Sequence, residues 1–273
     1  MWELDHRRGS VPELLALDEP QPDRLVARIY TVSRPALVVG SSQNLSVVDQ
    51  LRANALGIDL VKRRSGGGAV FLAPSRQVWF DFFVPTGGPL WQDDVIKAAE
   101  WVGLLWASVA ALFTDVKPVI HSGGLKADRW GKLVCFASIG PGEVLISGRK
   151  AIGVSQRRNR YRTHIQTSAL VIPPECSSTD EGSLSDARQP RRQASAPSVR
   201  QSHQNVSASY SQAFSQEEFS TLDEFELLQL TPEERIKGRS VLAERCCVLN
   251  VEAATAIDSM LDALGEQHWG ISL

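Results

Sequence analysis

The stretch Arg63-Arg64-Ser65-Gly66-Gly67-Gly68-Ala69-Val70 lies between two apolar runs, Ile58-Asp59-Leu60-Val61 before it and Val70-Phe71-Leu72 after it. Both runs read as strands. Three consecutive glycines cost backbone entropy, so a strand-flanked turn needs a reason to use them. One reason is close approach, because a backbone without Cβ atoms lies directly against a ligand. The two arginines add fixed positive charge suited to a carboxylate or phosphate. The other reading is a hairpin with a flexible tip and solvated arginines, and the segment by itself leaves both open.

The strands continue on either side. Leu25 to Val32 and Ala36 to Val39 are short β-rich runs, the second closed by Gly40-Ser41-Ser42. Leu45 to Leu56 has helical spacing and ends at Gly57. Gln77 to Val84 (QVWFDFFV) reads as a further strand. Asp93-Asp94 opens a long helix whose Val95, Ala98, Ala99, Val102, Leu105, Trp106, Val109 and Leu112 recur on one face. Strand-like runs follow at Val119-Ile120, Leu133 to Phe136, Val144 to Ile146, Ala151 to Val154 and Ile165 to Ile172. Many short strands around few helices, with hairpin connections, predict an α+β fold with a mixed, largely antiparallel sheet packed with helices.

The domain reading follows composition. Residues 1–176 form the N-terminal catalytic part. Residues 177–220 are rich in Ser, Gln, Arg and Ala, too poor in large apolar groups to offset ordering, and read as a linker or insertion. Residues 221–273 return to helix and are expected to pack on the catalytic part, with Thr231-Pro232-Glu233-Glu234 as an N-cap, first-turn proline and acidic first turn.

The chain has 273 residues, 43% of them hydrophobic, and a net charge of −2, which gives no general case for nucleic-acid binding. The four cysteines (Cys135, Cys176, Cys246 and Cys247) form no CxxC pair, and the five histidines no HExxH, so no metal site is predicted. No GxxxxGK[ST] motif occurs. The N-terminus lacks the apolar core of a signal peptide, and Trp101 to Phe113 is too short to span a bilayer. A cytoplasmic protein without a membrane partner is the expectation.

A second basic glycine turn follows in CFASIGPGEVLISGRKAIGVSQRR, Cys135 to Arg158. Gly148-Arg149-Lys150 puts a lysine at the start of a strand, where its ammonium can polarise a carbonyl or neutralise a phosphate. An ordinary hairpin with a surface lysine fits the same spacing. Taken together, RRSGGGAV at Arg63–Val70 and GRKAIGVSQRR at Gly148–Arg158 resemble the catalytic domain shared by lipoate–protein ligases, octanoyltransferases and biotin–protein ligases. Val38-Val39-Gly40-Ser41-Ser42-Gln43-Asn44 resembles the family's early strand and glycine turn. The resemblance covers roughly residues 25 to 172 and sits nearer the lipoyl than the biotin branch.

The resemblance implies an acyl tunnel, with Arg63, Arg64, Ser65, Gly66, Gly67, Gly68 and Ala69 as the donor-binding loop. Gly153, Ser155 and Gln156 would complete the donor site beside Lys150, with Arg158 as a further candidate. Lys150 would contact the acyl carbonyl as the electrostatic stabiliser. Val70, Phe71 and Trp79 would wall the tunnel, and each serves equally as plain core. The acceptor would be a lysine on a lipoyl carrier domain of a 2-oxoacid dehydrogenase or glycine-cleavage protein.

Two chemistries run on this family's fold. A ligase uses ATP and Mg to adenylate a free acid. A transferase needs no cofactor and takes an octanoyl group from acyl carrier protein, commonly through a cysteine thioester. Cys135 begins a Cys-Phe segment fifteen positions before Lys150, like the nucleophile of the cysteine-dependent octanoyltransferases that resemble lipoate ligases, and the Gly-Arg-Asn-Asp segment of many ligases is absent. A nearby lysine favours a thiolate, although a cysteine between Val134 and Phe136 also suits a buried apolar position. The short sequence beyond the linker leans toward the transferase as well, since many ligases carry a full accessory domain there. There are departures. Leu72-Ala73-Pro74 replaces a His-Asp pair, and Gln166-Thr167 stands near the place of a His-Gly, with His164 unassigned. A non-catalytic acyl- or carrier-binding relative is therefore a third reading.

Overall fold

The computed structural model describes residues 1–172 and 222–266. The expectation for residues 177–220 lies outside the described residues. Ten strands form two sheets. In chain order the strands are β1 (Glu3–Gly9), β2 (Val26–Val32), β3 (Ala36–Val39), β4 (Asp59–Lys62), β5 (Val70–Leu72), β6 (Gln77–Pro85), β7 (Val119–Ile120), β8 (Val144–Ile146), β9 (Arg149–Arg158) and β10 (Arg162–Leu170). The helices are α1 (Val11–Ala16), α2 (Gln50–Ala55), α3 (Val95–Ala110), α4 (Arg129–Leu133), α5 (Glu224–Leu227), α6 (Pro232–Arg245) and α7 (Ala253–Glu266).

The seven-stranded sheet runs β1-β2-β6-β10-β9-β8-β7, antiparallel except for the β1–β2 pair. The three-stranded sheet runs β4-β3-β5. The mixed, largely antiparallel α+β fold read from the sequence is the one observed.

Layering explains the apolar runs. One face of the large sheet carries Phe80, Phe82, Ile152 and Ile165, which pack with Trp101, Leu105 and Trp106 of α3 and with Ala256, Met260 and Leu264 of α7. The other face turns Tyr30 and Trp79 toward Val38, Val70 and Leu72 of the small sheet and Val11 and Leu14 of α1. The far side of the small sheet is closed by Trp130 of α4 and by Phe225 and Leu227 of α5. Strand β6 is thus covered on both faces, which is why QVWFDFFV reads as a continuous apolar run with no alternation. The stretch Val95–Phe113 would be long and apolar enough for a membrane by length and composition. Here its apolar face is core.

Several expectations need correction. β4 and β5 are not a hairpin, because β3 lies between them, parallel to β4 and antiparallel to β5. The glycine segment is therefore a loop that crosses the end of β3. Leu133 to Phe136 is not a strand. Asp128 caps α4 by accepting from the Gly131 N–H at 3.0 Å, the helix runs to Leu133, and Cys135–Ala137 forms a single 3₁₀ turn. The helical spacing of Leu45 to Leu56 splits into a 3₁₀ turn, Leu45–Val47, and α2, because Val48 bridges Leu228 and Asp49 caps the second piece. Leu222 to Leu230 shortens to the single turn of α5. Val95 and Leu112 are exposed, since one opens α3 and the other lies in the 3₁₀ turn beyond it. The N-terminal β1, an edge strand with a mostly exposed side-chain pattern, gave no apolar signal. The Thr231 cap holds as read, with the Glu234 carboxylate accepting from the Thr231 N–H at 3.0 Å.

The C-terminal helices dock through a buried acid. Glu224, 7% exposed, accepts from the Phe71 N–H at 3.0 Å and so covers the outer edge of β5. Burial pushes its carboxyl above the usual carboxylate range, against the pull of that hydrogen bond. A carboxyl raised on folding stabilises the fold below its unfolded value and loses that contribution as pH rises through its folded value. Glu224→Gln keeps an accepting oxygen without the charge. It is expected to raise the melting temperature at pH 8 by roughly 2–4 °C, about the effect of 1 kcal/mol, and to change it little at pH 4. A lower melting temperature for the variant at pH 8 would contradict this.

Candidate functional site

A bulge aims the lysine. Val144 pairs with Ile152 and Leu145 with Lys150, so Ala151 is an extra residue on β9. Ala151 and Ile152 both enter the core below the sheet. Strict alternation from Lys150 would select residues 152, 154 and 156. The bulge instead puts Lys150 on the same face as Gly153, and a Cβ on Gly153 would lie 3.3 Å from Lys150 Cε. Ser155 and Arg157 then share that face. Gln156 falls on the opposite one, where its amide donates to the Val95 carbonyl. Arg158 lies outside, donating to the Asp93 carbonyl at 2.8 Å and covering Trp91. Neither Gln156 nor Arg158 belongs to the site.

Lys150 is fully buried. Its Nζ lies 2.7 Å from Glu143 Oε1, donates to the Cys135 carbonyl at 2.9 Å and to the Ser138 carbonyl at 3.3 Å, and stands 3.9 Å from Cys135 Sγ. It also faces the Phe136 ring at 5.0 Å. Burial pulls the ammonium down; the charges of Cys135 and Glu143, with the Glu143 hydrogen bond, push it up by more, so it titrates above the ordinary lysine range. Three oxygens thus meet the three protons of an ammonium. Lys150 sits behind the wall of the cleft, where its ammonium holds the turn that carries Cys135.

Glu143, 4% exposed, is the partner that the sequence reading missed. Its second oxygen accepts from the Gly140 N–H at 2.7 Å. The available signal was an acid entering a strand directly after the Pro141-Gly142 turn.

The glycine loop joins the same turn from the other side. Ala69 donates to the Leu133 carbonyl and accepts from the Cys135 N–H, both at 2.8 Å. Gly68 lies against this peptide so closely that a Cβ would meet the Val134 carbonyl carbon at 2.6 Å. Gly67 has φ +98°, a conformation that favours glycine. Its carbonyl presses on Gly40, where a Cβ would lie 1.9 Å away. Gly68 and Gly40 therefore allow backbone to meet backbone, whereas a Cβ on Gly66 would meet open space. Arg63 staples the loop by donating to the Gly66 and Gly68 carbonyls, each at 2.8 Å, and Arg64 is exposed.

Between the sheets opens a cleft of about 570 Å³ counting its mouth, with an almost wholly apolar accessible wall. Leu15, Val38, Val70, Leu72, Trp79 and Phe136 line it, together with Cys135, Gly153, Ser155, Gln166 and Ser168. Arg63 and Ser65 line it from the loop, whereas Arg64, Gly66, Gly67, Gly68, Ala69 and Lys150 do not. Val70 and Trp79 are walls as expected. Phe71 points the other way, into the core under α5. The lining suits an apolar tail. No group of three or more His, Cys, Asp or Glu that could hold a metal occurs among the described residues.

Two measurements test this geometry. Glu143→Ala leaves Lys150 charged and buried without its carboxylate, and is expected to lower stability to urea by about 3–5 kcal/mol. The double change Glu143→Ala, Lys150→Met should recover much of that loss, and no recovery would contradict the pairing. The Cys246 thiol is pushed up to about 12, chiefly by burial and further by the Glu224 charge. At pH 8 iodoacetamide should label Cys135 first, with Cys246 on the order of a hundredfold or more slower than a model peptide thiol. Equal labelling of the two would overturn the assignment.

Comparison with known proteins supplies the family. The model of the lipoyl protein ligase A/B catalytic domain matches residues 13–222. No curated protein matches the chain significantly by sequence. Among solved structures, the bipartite lipoate protein ligase of Thermoplasma acidophilum, solved in a study that includes its E2 lipoyl domain, superposes with a TM-score of 0.57 at 13% identity, covering 97% of this chain and 84% of that one. A putative lipoate protein ligase from T. acidophilum with bound lipoic acid gives 0.51 at 13% identity, covering 98% and 97%. A lipoate-protein ligase A bound with ATP gives 0.51 at 12% identity, covering 99% and 96%. At these identities the structures show a shared fold. The family model, spanning most of the chain, shows membership: the chain belongs to the lipoyl protein ligase A/B catalytic domain family.

Proposed function

We propose that this chain is an acyltransferase of protein lipoylation, moving an octanoyl or lipoyl group onto a lysine of a lipoyl carrier domain through a thioester on Cys135. The observation that carries the reading is the position of the Cys135 sulfur, on the wall of an apolar cleft and 3.9 Å from a buried ammonium. In the reaction, the Cys135 thiolate attacks the carbonyl carbon of a donor thioester and the donor thiolate departs. The neutral amine of the carrier lysine then attacks the new thioester, its C–S bond breaks to release the Cys135 thiolate, and the amide forms as the amine gives up a proton to solvent. Cys135 is the catalytic residue in this scheme. Lys150, held by Glu143, is its positioning partner.

The lipoyl-domain acceptor draws support from the T. acidophilum ligase studied with its E2 lipoyl domain, and acyl carrier protein is the proposed donor. The competing reading is an ATP-dependent ligase, as in the relative bound with ATP. A nucleotide would bring phosphates to the loop, where Arg63 is committed to backbone carbonyls and Arg64 is the exposed guanidinium. The cleft lining itself fits an acyl tail. A cytoplasmic location, where acyl carrier and lipoyl domains would be reachable, belongs to the same proposal.

Incubation with octanoyl-acyl carrier protein should add an octanoyl mass to the intact protein, and Cys135→Ser should abolish it. If no adduct forms, and a lipoyl domain is acylated only with ATP, Mg and free lipoate, the ligase reading replaces this one.

A further inference from the structure

We propose that Gln166 is a positioning residue whose carboxamide latches the Arg63–Gly68 loop onto the wall of the acyl cleft, with buried Asp81 as the anchor that orients it. The inference rests on the acyl-cleft reading above. Asp81 is 1% exposed and accepts from Trp79 Nε1 at 2.7 Å and from the Tyr30 hydroxyl at 3.1 Å. His164 Nε2 lies 2.7 Å from the same carboxylate. A carboxylate only accepts, so the Gln166 amide must turn its NH₂ to Asp81, at 3.3 Å, and its oxygen the other way. That oxygen receives the Ser65 hydroxyl at 2.8 Å.

The direction of the whole chain is therefore set from the buried end. Asp81 fixes the amide, and the amide fixes Ser65. The other hydrogen bonds of the loop go elsewhere. Arg63 donates within the loop, the Ser65 carbonyl accepts from the Ser41 N–H, and Ala69 pairs with the Cys135 turn. Ser65–Gln166 is thus the hydrogen bond by which the described loop joins the seven-stranded sheet, and both residues line the cleft. Ser155, the register partner of Gln166 on β9, completes this part of the wall. The titratable and charged groups around it are Asp81, His164, Tyr30, Arg28 (the register partner of Asp81 on β2) and Arg157 (the register partner of His164 on β9), with Arg63 on the loop side.

The test uses a variant that can switch. The carboxyl introduced by Gln166→Glu accepts and donates as the amide does while it is protonated, whereas once ionised it only accepts and repels Asp81. Hydrogen exchange of residues 63–69, corrected for intrinsic rates, is read beside donor KM for wild type, Gln166→Ala, Ser65→Ala, their double variant and Gln166→Glu. Both single alanine variants should speed exchange in the loop and raise KM about tenfold, more than kcat falls, and the double should match a single. Gln166→Glu should behave as wild type at pH 5.5 and as Gln166→Ala at pH 8. Unchanged loop exchange in Gln166→Ala, additive singles, or a Gln166→Glu protein with no pH dependence would overturn the latch. A wild type that transfers no acyl group would instead remove the acyl-transfer reading, and exchange would still decide the latch.

Discussion

A buried ammonium organises this molecule. Lys150 has no solvent, so its charge must be met by protein, and the Glu143 carboxylate with the carbonyls of Cys135 and Ser138 meets it. Removing a charge from water costs several kcal/mol unless such partners are in place. The requirement reaches far along the chain. It demands the β9 bulge that turns the lysine to this face, the Gly142 turn that delivers Glu143, and the 3₁₀ turn that presents two carbonyls. Because the Cys135 N–H is held by Ala69, the same demand locates the end of the glycine loop. One ionic centre therefore sets the relation between the two sheets at the point where the cleft opens.

The cysteine gains its chemical interest from this arrangement. Its backbone is held on both sides, by Ala69 at its N–H and by Lys150 at its carbonyl, while its sulfur faces an apolar cleft. In the proposed reaction, a sulfur fixed in this way would lose little freedom on forming a thioester, which is the benefit of holding reacting groups in place beforehand. Ser65 and Gln166 on the cleft wall bond to each other, and Gln166 to the buried Asp81 behind them. An apolar tail entering the cleft need not strip water from an unpaired charge.

How much was legible differs by element. Strands with covered faces (β2, β3, β6 and β8) announced themselves through apolar composition, and α3 and α6 through spacing and caps. Strand β1 did not, because an edge strand needs no apolar side chains. The Leu133 to Phe136 run misled because buried apolar residues also suit the end of a helix and a tight turn. At the site, Lys150 and the glycine loop were visible as motifs, but their neighbours depended on parity. Ser155 and Gln156 were both candidates, and the extra residue Ala151 puts Ser155, not Gln156, on the face of Lys150. Asp81 was invisible because an isolated acid inside a strand-like run carries no local signal, and Glu143 offered only its place after the Pro141-Gly142 turn. Within the triple glycine, Gly68 is the position where the chain's own backbone approaches, at Val134 and Cys135.

The most direct measurement is single-turnover transfer. Acyl-enzyme is formed with octanoyl-acyl carrier protein, freed of the donor by gel filtration, and mixed with an unmodified lipoyl domain in the absence of ATP. This account predicts that the octanoyl mass leaves the enzyme and appears as an amide on the lipoyl-domain lysine. A lipoyl domain left unmodified, with the group retained on the enzyme or lost to water, would contradict it.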